Sequence, residues 1–127
     1  MPPSSPLDSL RKTLEAERLA TLSFSRALDH IGLDPKKLDW PNLRALHERD
    51  ADAAELLYGI DRGHISRSNA HLYRPQADAI HESAAHLRVR VRDALPAPFQ
   101  QRLDAALPIA VSTLTRHDIY ADIRGAP

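Results

Sequence analysis

The chain contains no cysteine, which excludes a disulfide framework and any thiolate metal site. Glycine occurs only four times, too sparsely for a phosphate-cradling loop. Runs of β-branched residues are absent, so the usual strand pattern is missing. No sign of charge dominates: seventeen Lys and Arg balance seventeen Asp and Glu, which argues against strong nonspecific binding to nucleic acid. No apolar run approaches the roughly 20 residues that a membrane span needs. The opening Met1-Pro2-Pro3-Ser4-Ser5 lacks the basic and apolar blocks of a signal peptide. These absences predict a soluble, cytoplasmic protein without a membrane partner. At 127 residues with 43% hydrophobic content, a single domain with a modest core is expected over 1–127. Residues 1–5 and 124–127 are expected to be flexible.

What is abundant is alanine (19) and leucine (18), both strong helix formers. Prolines punctuate them at positions that read as helix starts or breaks. Four segments emerge: Pro6 to His30, capped by Ser4 or Ser5 and stopped by Gly32; Asp39 or Pro41 to Gly59; Pro75, or slightly before, to about Leu95; and Pro98 to Ile123, where Pro108 is expected to kink or split the helix. Asp34-Pro35-Lys36-Lys37 reads as a short connecting turn. Apolar residues recur every three or four positions. The second segment shows Leu43, Leu46, Ala53, Leu57 and Ile60. The third shows Tyr73, Ala77, Ile80, Ala84, Leu87, Val91 and Ala94. The fourth shows Phe99, Leu103, Ala106, Ala110, Thr113, His117 and Tyr120. Such stripes predict an all-α four-helix bundle with a long first helix. That first helix is apolar on two sides, with Leu7, Leu10, Leu14, Phe24, Leu28 and Ile31 on one and Leu19, Leu22 and Leu33 off it. It therefore touches two neighbours: either it is central in a monomer, or it contacts a homodimer mate or another helical protein.

The charge is patterned although its sum is zero. Between Asp39 and Asp61 six acids face two arginines, and between Arg62 and Arg92 six arginines face two acids. Pairing of these stretches across antiparallel helices is the favoured reading; a basic surface for a phosphate backbone is the other. Of seven histidines, His47, His64 and His71 read as solvated, and His117 as a core histidine on the last stripe. Trp40 reads as a plug at the bundle end or an anchor for a partner. No nucleophile has a base at a usable spacing, and no Glu-x-x-His pair occurs, so no catalysis is expected.

Over most of its length the chain resembles the chemoreceptor zinc-binding domain. The likeness runs through Ala27-Leu28-Asp29-His30, Leu57-Tyr58-Gly59, Asp78-Ala79-Ile80-His81, Pro98-Phe99-Gln100-Gln101 and Thr115-Arg116-His117-Asp118-Ile119-Tyr120. That family comprises four-helix bundles attached to bacterial chemoreceptors and diguanylate cyclases, or standing alone, which bind zinc through three histidines and a cysteine. The resemblance implies His30 and His81 as zinc ligands. The family's second histidine of the third helix falls at Ala85, one residue before His86, which serves only if the helix bulges locally. The cysteine position falls near Leu56. Asp50, among the apolar positions of the second segment, is the remaining candidate ligand, or pairs with an arginine. A regulatory signal-transduction module acting through protein–protein contact follows from this resemblance.

A second resemblance competes with it. Ala53 to Arg67, reading Ala-Ala-Glu-Leu-Leu-Tyr-Gly-Ile-Asp-Arg-Gly-His-Ile-Ser-Arg, looks like a helix-turn-helix extending over about 53–72. It implies a small DNA-binding regulator, with Arg62, His64, Ser66 and Arg67 at the groove-facing start of a recognition helix. The alternative for the same residues is a capped helix followed by a polar loop.

Overall fold

A computed structural model describes residues 5–33 and 38–121. The expected turn at Asp34 to Lys37, the segment end at Ile123 and most of both expected flexible ends lie outside the described residues. The chain is all-α, with five helices and no strand among the described residues: α1 (Pro6–His30), α2 (Trp40–Asp61), α3 (Ala70–Asp93), α4 (Ala97–Thr113) and α5 (Arg116–Tyr120).

Local chemistry explains most boundaries. At the head of α1, Ser5 Oγ accepts from the Asp8 amide at 3.1 Å and Pro6 takes the first helical position, where its missing N–H costs nothing. At its foot the chain turns through Gly32 at φ +63, a backbone region that glycine enters freely. The α2–α3 connection is a tight polar loop. The Gly59 carbonyl accepts from the amides of both His64 and Ile65, Gly63 sits at φ +78, and buried Ile65 lies under Gly59. Asn69 completes the loop by accepting from the Ser66 amide at 2.6 Å and donating to the His64 carbonyl at 3.1 Å.

Three boundaries differ from expectation. α2 continues through Gly59 to Asp61, since the turn is made by Gly63 at positive φ. α3 begins at Ala70, five residues before Pro75. Pro75 removes only one main-chain bond, while the Ser66 carbonyl already anchors the Ala70 amide at 2.9 Å. Pro108 does not split the last segment and stays inside α4. The break falls instead at Leu114 and Thr115, both extended, where Thr115 and Asp118 form a reciprocal capping box that starts α5. Thr113 and His117 are therefore exposed and leave the expected stripe. His117 is not a core histidine.

The long helices alternate in direction. α1 contacts every other helix, α2 and α3 also pack on each other, and α4 meets α3 only narrowly. The two-sided apolar character of α1 is taken up within the chain in part: Leu33 packs against the second cluster, while Leu19 and Leu22 stay half-buried. Its first half faces α2 and α3, and its second half is also covered by α4, through small residues such as Ala27, Ala106 and Ala110. The buried apolar residues form two clusters. One joins Leu10 and Leu14 to Leu56, Leu57, Ile60, Ala77 and Ile80. The other joins Phe24 and Leu28 to Leu43, Leu46, Val91 and Leu103. No described helix is long and apolar enough to cross a membrane.

Pro108 stands exposed in the middle of α4, so its ring does no packing that alanine would forfeit. We expect Pro108→Ala to restore the missing main-chain bond and stabilise the protein by about 1–3 kcal/mol. Urea denaturation is the check, and an unchanged or lowered midpoint contradicts this account.

Candidate functional site

The core-facing seam of α1 reads Leu10, Leu14, Glu17, Thr21, Phe24 and Leu28, with alternating steps of four and three, and all six are buried. Its two central positions are polar. They fall between the two apolar clusters, so a polar layer crosses the middle of the bundle.

Glu17 is 0% exposed. A lone buried carboxylate is costly, and this one is engaged by both oxygens. Oε2 accepts from Thr21 Oγ1 at 2.6 Å and from Arg88 Nη1 at 2.8 Å, while Oε1 accepts from Arg88 Nη1 at 3.1 Å and lies 3.1 Å from His81 Nδ1. Arg88 also donates to Thr21 Oγ1 at 3.0 Å. The layer therefore ties α1 to α3. His81 is its outlet, with the imidazole half exposed while its carboxylate partner is not.

Arg18 continues the layer towards α2 and α5. It is 2% exposed. Nη1 donates to Asp50 Oδ2 at 2.7 Å, and Nε and Nη2 both donate to the Ile119 carbonyl, at 3.2 and 3.0 Å. Asp50 Oδ1 is buried and has no hydrogen-bond partner among the described residues. Burial raises the Asp50 pKa above the ordinary carboxylate range, although Arg18 pulls the other way. Ionisation of Asp50 thus works against the fold as pH rises through that raised value, and Arg18 offsets part of the cost. Beyond Arg18, Tyr120 donates its hydroxyl to Glu15 Oε2 at 2.6 Å, and Arg116 lies 5.2 Å above its ring.

The charge pattern resolves differently from the favoured reading. Among the described residues no ion pair joins the acidic α2 to the basic α3; both pair through other helices. Arg11 and Arg18 of α1 take Asp61 and Asp50 of α2, while Arg88 and Arg92 of α3 take Glu17 of α1 and Asp104 of α4.

The chain matches no family model, no curated protein and no solved structure. The site is therefore read from its own geometry.

The residues expected to hold zinc are not brought together. His81 sits on Glu17, whereas His30 lies thirteen residues further along α1, a rise of about 20 Å. His30 is exposed beside a cleft of about 390 Å³ that Arg102 and Ile109 also line. His86 is exposed, and α3 runs through it as regular helix without the bulge it needed. Asp50 takes the arginine alternative, with Arg18 as partner. No group of three or more His, Cys, Asp or Glu suited to a metal occurs among the described residues. The recognition-helix placement is corrected as well. Arg62, His64, Ser66 and Arg67 all lie in the α2–α3 loop before Ala70, and Arg62 stacks 5.1 Å over the Tyr58 ring. The polar-loop alternative is what forms, with Ile65 packed against Gly59. Trp40 is 47% exposed at the rim of a surface cleft that Leu28, Leu33, Leu38 and Leu43 also line, so it is not a sealed plug.

Glu17, Arg18, Thr21 and Arg88 were not among the expected site residues. Their signal was present: the apolar stripe of the first segment jumps from Leu14 to Phe24, and Glu17 and Thr21 occupy the two skipped core positions.

Two measurements test this geometry. Glu17→Gln leaves the partly exposed Arg88 without its full counter-charge, and we expect a loss of about 3 kcal/mol in urea denaturation. The double variant Glu17→Leu with Arg88→Met should recover most of that loss; equal losses in both would show that the layer is not a coupled pair. The Tyr120 phenol has its pKa raised from 10.0, by burial first and by its bond to Glu15 second. A raised folded pKa means that the contact contributes in full below about pH 10 and is lost as pH climbs through the higher folded value. Absorbance at 295 nm should show a tyrosine ionising above the ordinary phenol value, and Tyr120→Phe should abolish that phase.

Proposed function

We propose that this chain is a non-catalytic sensory bundle that acts through protein–protein interaction and responds to a small ligand, zinc among the candidates, at His81. The observation that carries the reading is the half-exposed imidazole resting on a fully buried carboxylate that also holds the α1–α3 contact. With Nδ1 donating to Glu17, the lone pair of the neutral ring lies on Nε2, the nitrogen left for a ligand. A carboxylate behind an imidazole is the arrangement that orients metal-binding histidines. One imidazole alone makes no tight zinc site, so the further ligands come from a partner, with a second copy of the chain as the proposed one. The resemblance to chemoreceptor zinc-binding domains supports the reading at this position, since His81 is one of its two matched ligands. A regulatory role also suits Glu17, whose oxygens are committed to neighbours and so are poorly placed to move protons for a substrate.

The test is a zinc titration to one equivalent, followed by amide NMR. We expect shifts that reach α1 around Glu17 and α3 around Arg88, with a change in oligomeric state, and their loss in His81→Gln. Shifts that persist in His81→Gln, or that never leave the exposed histidines, would overturn the proposal.

A further inference from the structure

α5 is held unlike the other helices. It is five residues long and none of them is buried. Two extended residues, Leu114 and Thr115, join it to α4. Three polar contacts attach it, the Ile119 carbonyl on Arg18, the Tyr120 hydroxyl on Glu15 and Arg116 at 3.9 Å from the same carboxylate, and the half-buried Tyr120 ring packs against the apolar cluster of Leu10 and Leu14. Beside it opens a cleft of about 450 Å³ lined by Asp61, Arg116, His117 and Tyr120.

The acceptor under α5 is specific. The Nε and Nη2 edge of an arginine is a fork suited to two oxygens of a carboxylate. Here the fork is held rigid, because Nη1 is anchored on Asp50 and the guanidinium is almost wholly buried, and one carbonyl oxygen receives both N–H groups. Lifting α5 takes the acceptor away from two N–H groups of a charged side chain, so the closed form is favoured until water or another oxygen takes the place. A short element with few buried contacts is also the kind that opens locally while the core stays folded.

We propose that α5 is an internal pseudo-ligand: a displaceable latch over a docking groove on α1 that receives a short segment of a partner protein. The groove takes a main-chain carbonyl or carboxylate on the Arg18 fork and a phenol or other hydroxyl on Glu15. The chain's own Ile119-Tyr120 displays the chemistry that fits. Partner binding then exchanges one set of oxygen contacts for another and releases α5. This inference rests on reading the chain as an interaction module and names the surface involved.

The test uses the full chain and a synthetic amidated peptide of the sequence Leu114 to Ala121. The Tyr120→Phe chain has a weakened latch and should bind this peptide saturably, with the Arg18 Nε–H signal shifting in NMR. The unmodified chain should bind it at least about tenfold more weakly, because its tethered segment competes at an effective concentration in the millimolar range. Adding Glu15→Ala to Tyr120→Phe should weaken binding by a similar factor. Absence of saturable binding by the Tyr120→Phe chain up to about 0.5 mM peptide, or equal binding by all three chains, overturns the proposal. Hydrogen exchange of the unmodified protein is a second and independent check. The Ile119 and Ala121 amides should exchange through an opening that leaves α1 protected, and exchange only with global unfolding would equally sink the latch. Neither readout depends on zinc or on capture of a partner, so failure of the sensory reading and failure of the latch are distinguishable.

Discussion

Everything else in this bundle is arranged around a carboxylate placed where a leucine would be expected. Glu17 occupies a core position of α1 and demands hydrogen bonds there, which Thr21, Arg88 and His81 supply. A buried ion pair adds little net stability over an apolar pair of similar shape. Its effect here is selectivity. Above and below the layer the helices present alanine, leucine and isoleucine, which would tolerate sliding by a turn at modest cost. A one-turn slip of α3 along α1 would set Glu17 against apolar side chains and strand Arg88 without its anion. The layer thus allows one register among several that the apolar clusters would accept.

α1 distributes this constraint. It supplies an acid to α3, arginines to α2 and the fork that holds α5, while its second half is wrapped by α4. The mixed charges of the first helix are the hub of a network in which, among the described residues, no ion pair joins acidic α2 to basic α3, although the two helices pack on each other. At the far edge, the exposed bidentate pair of Arg92 with Asp104 fastens α4 to α3 where their packing is narrow. Arg92 also holds the Asp104 carboxyl below the ordinary range.

Much of this architecture is legible in the sequence. Alanine and leucine at helical spacing, with a serine cap, Pro6 and Gly32, give the extent of α1, and the structure selects Ser5 over Ser4 as the cap. The stripe of α2 is buried throughout. Other features are hidden for identifiable reasons. A proline in the sixth position of α3 looks like a start, because sequence alone does not reveal that Ala70 is already anchored by Ser66. The restart at Thr115 depends on a Thr-x-x-Asp box, a weaker cue than the proline preceding it, so Pro108 drew the expected break. Charge runs adjacent in sequence invite pairing with each other, yet which acid meets which arginine depends on the rotation of three helices at once. The polar layer is the clearest case. Its residues are invisible as chemistry, being an ordinary Glu, Arg and Thr, and become visible only as an interruption of the α1 seam.

The bond between Arg18 and the Ile119 carbonyl spans 101 positions of the chain. Synthesis proceeds from the amino terminus at about 5–20 residues per second, so the partners of this seam reach it in a fixed order. Asp50 lies 32 positions beyond Arg18, Arg88 lies 71 beyond the neighbouring Glu17, and the Ile119 carbonyl follows after both. The interior of α1 is therefore completed only once α5 has been made.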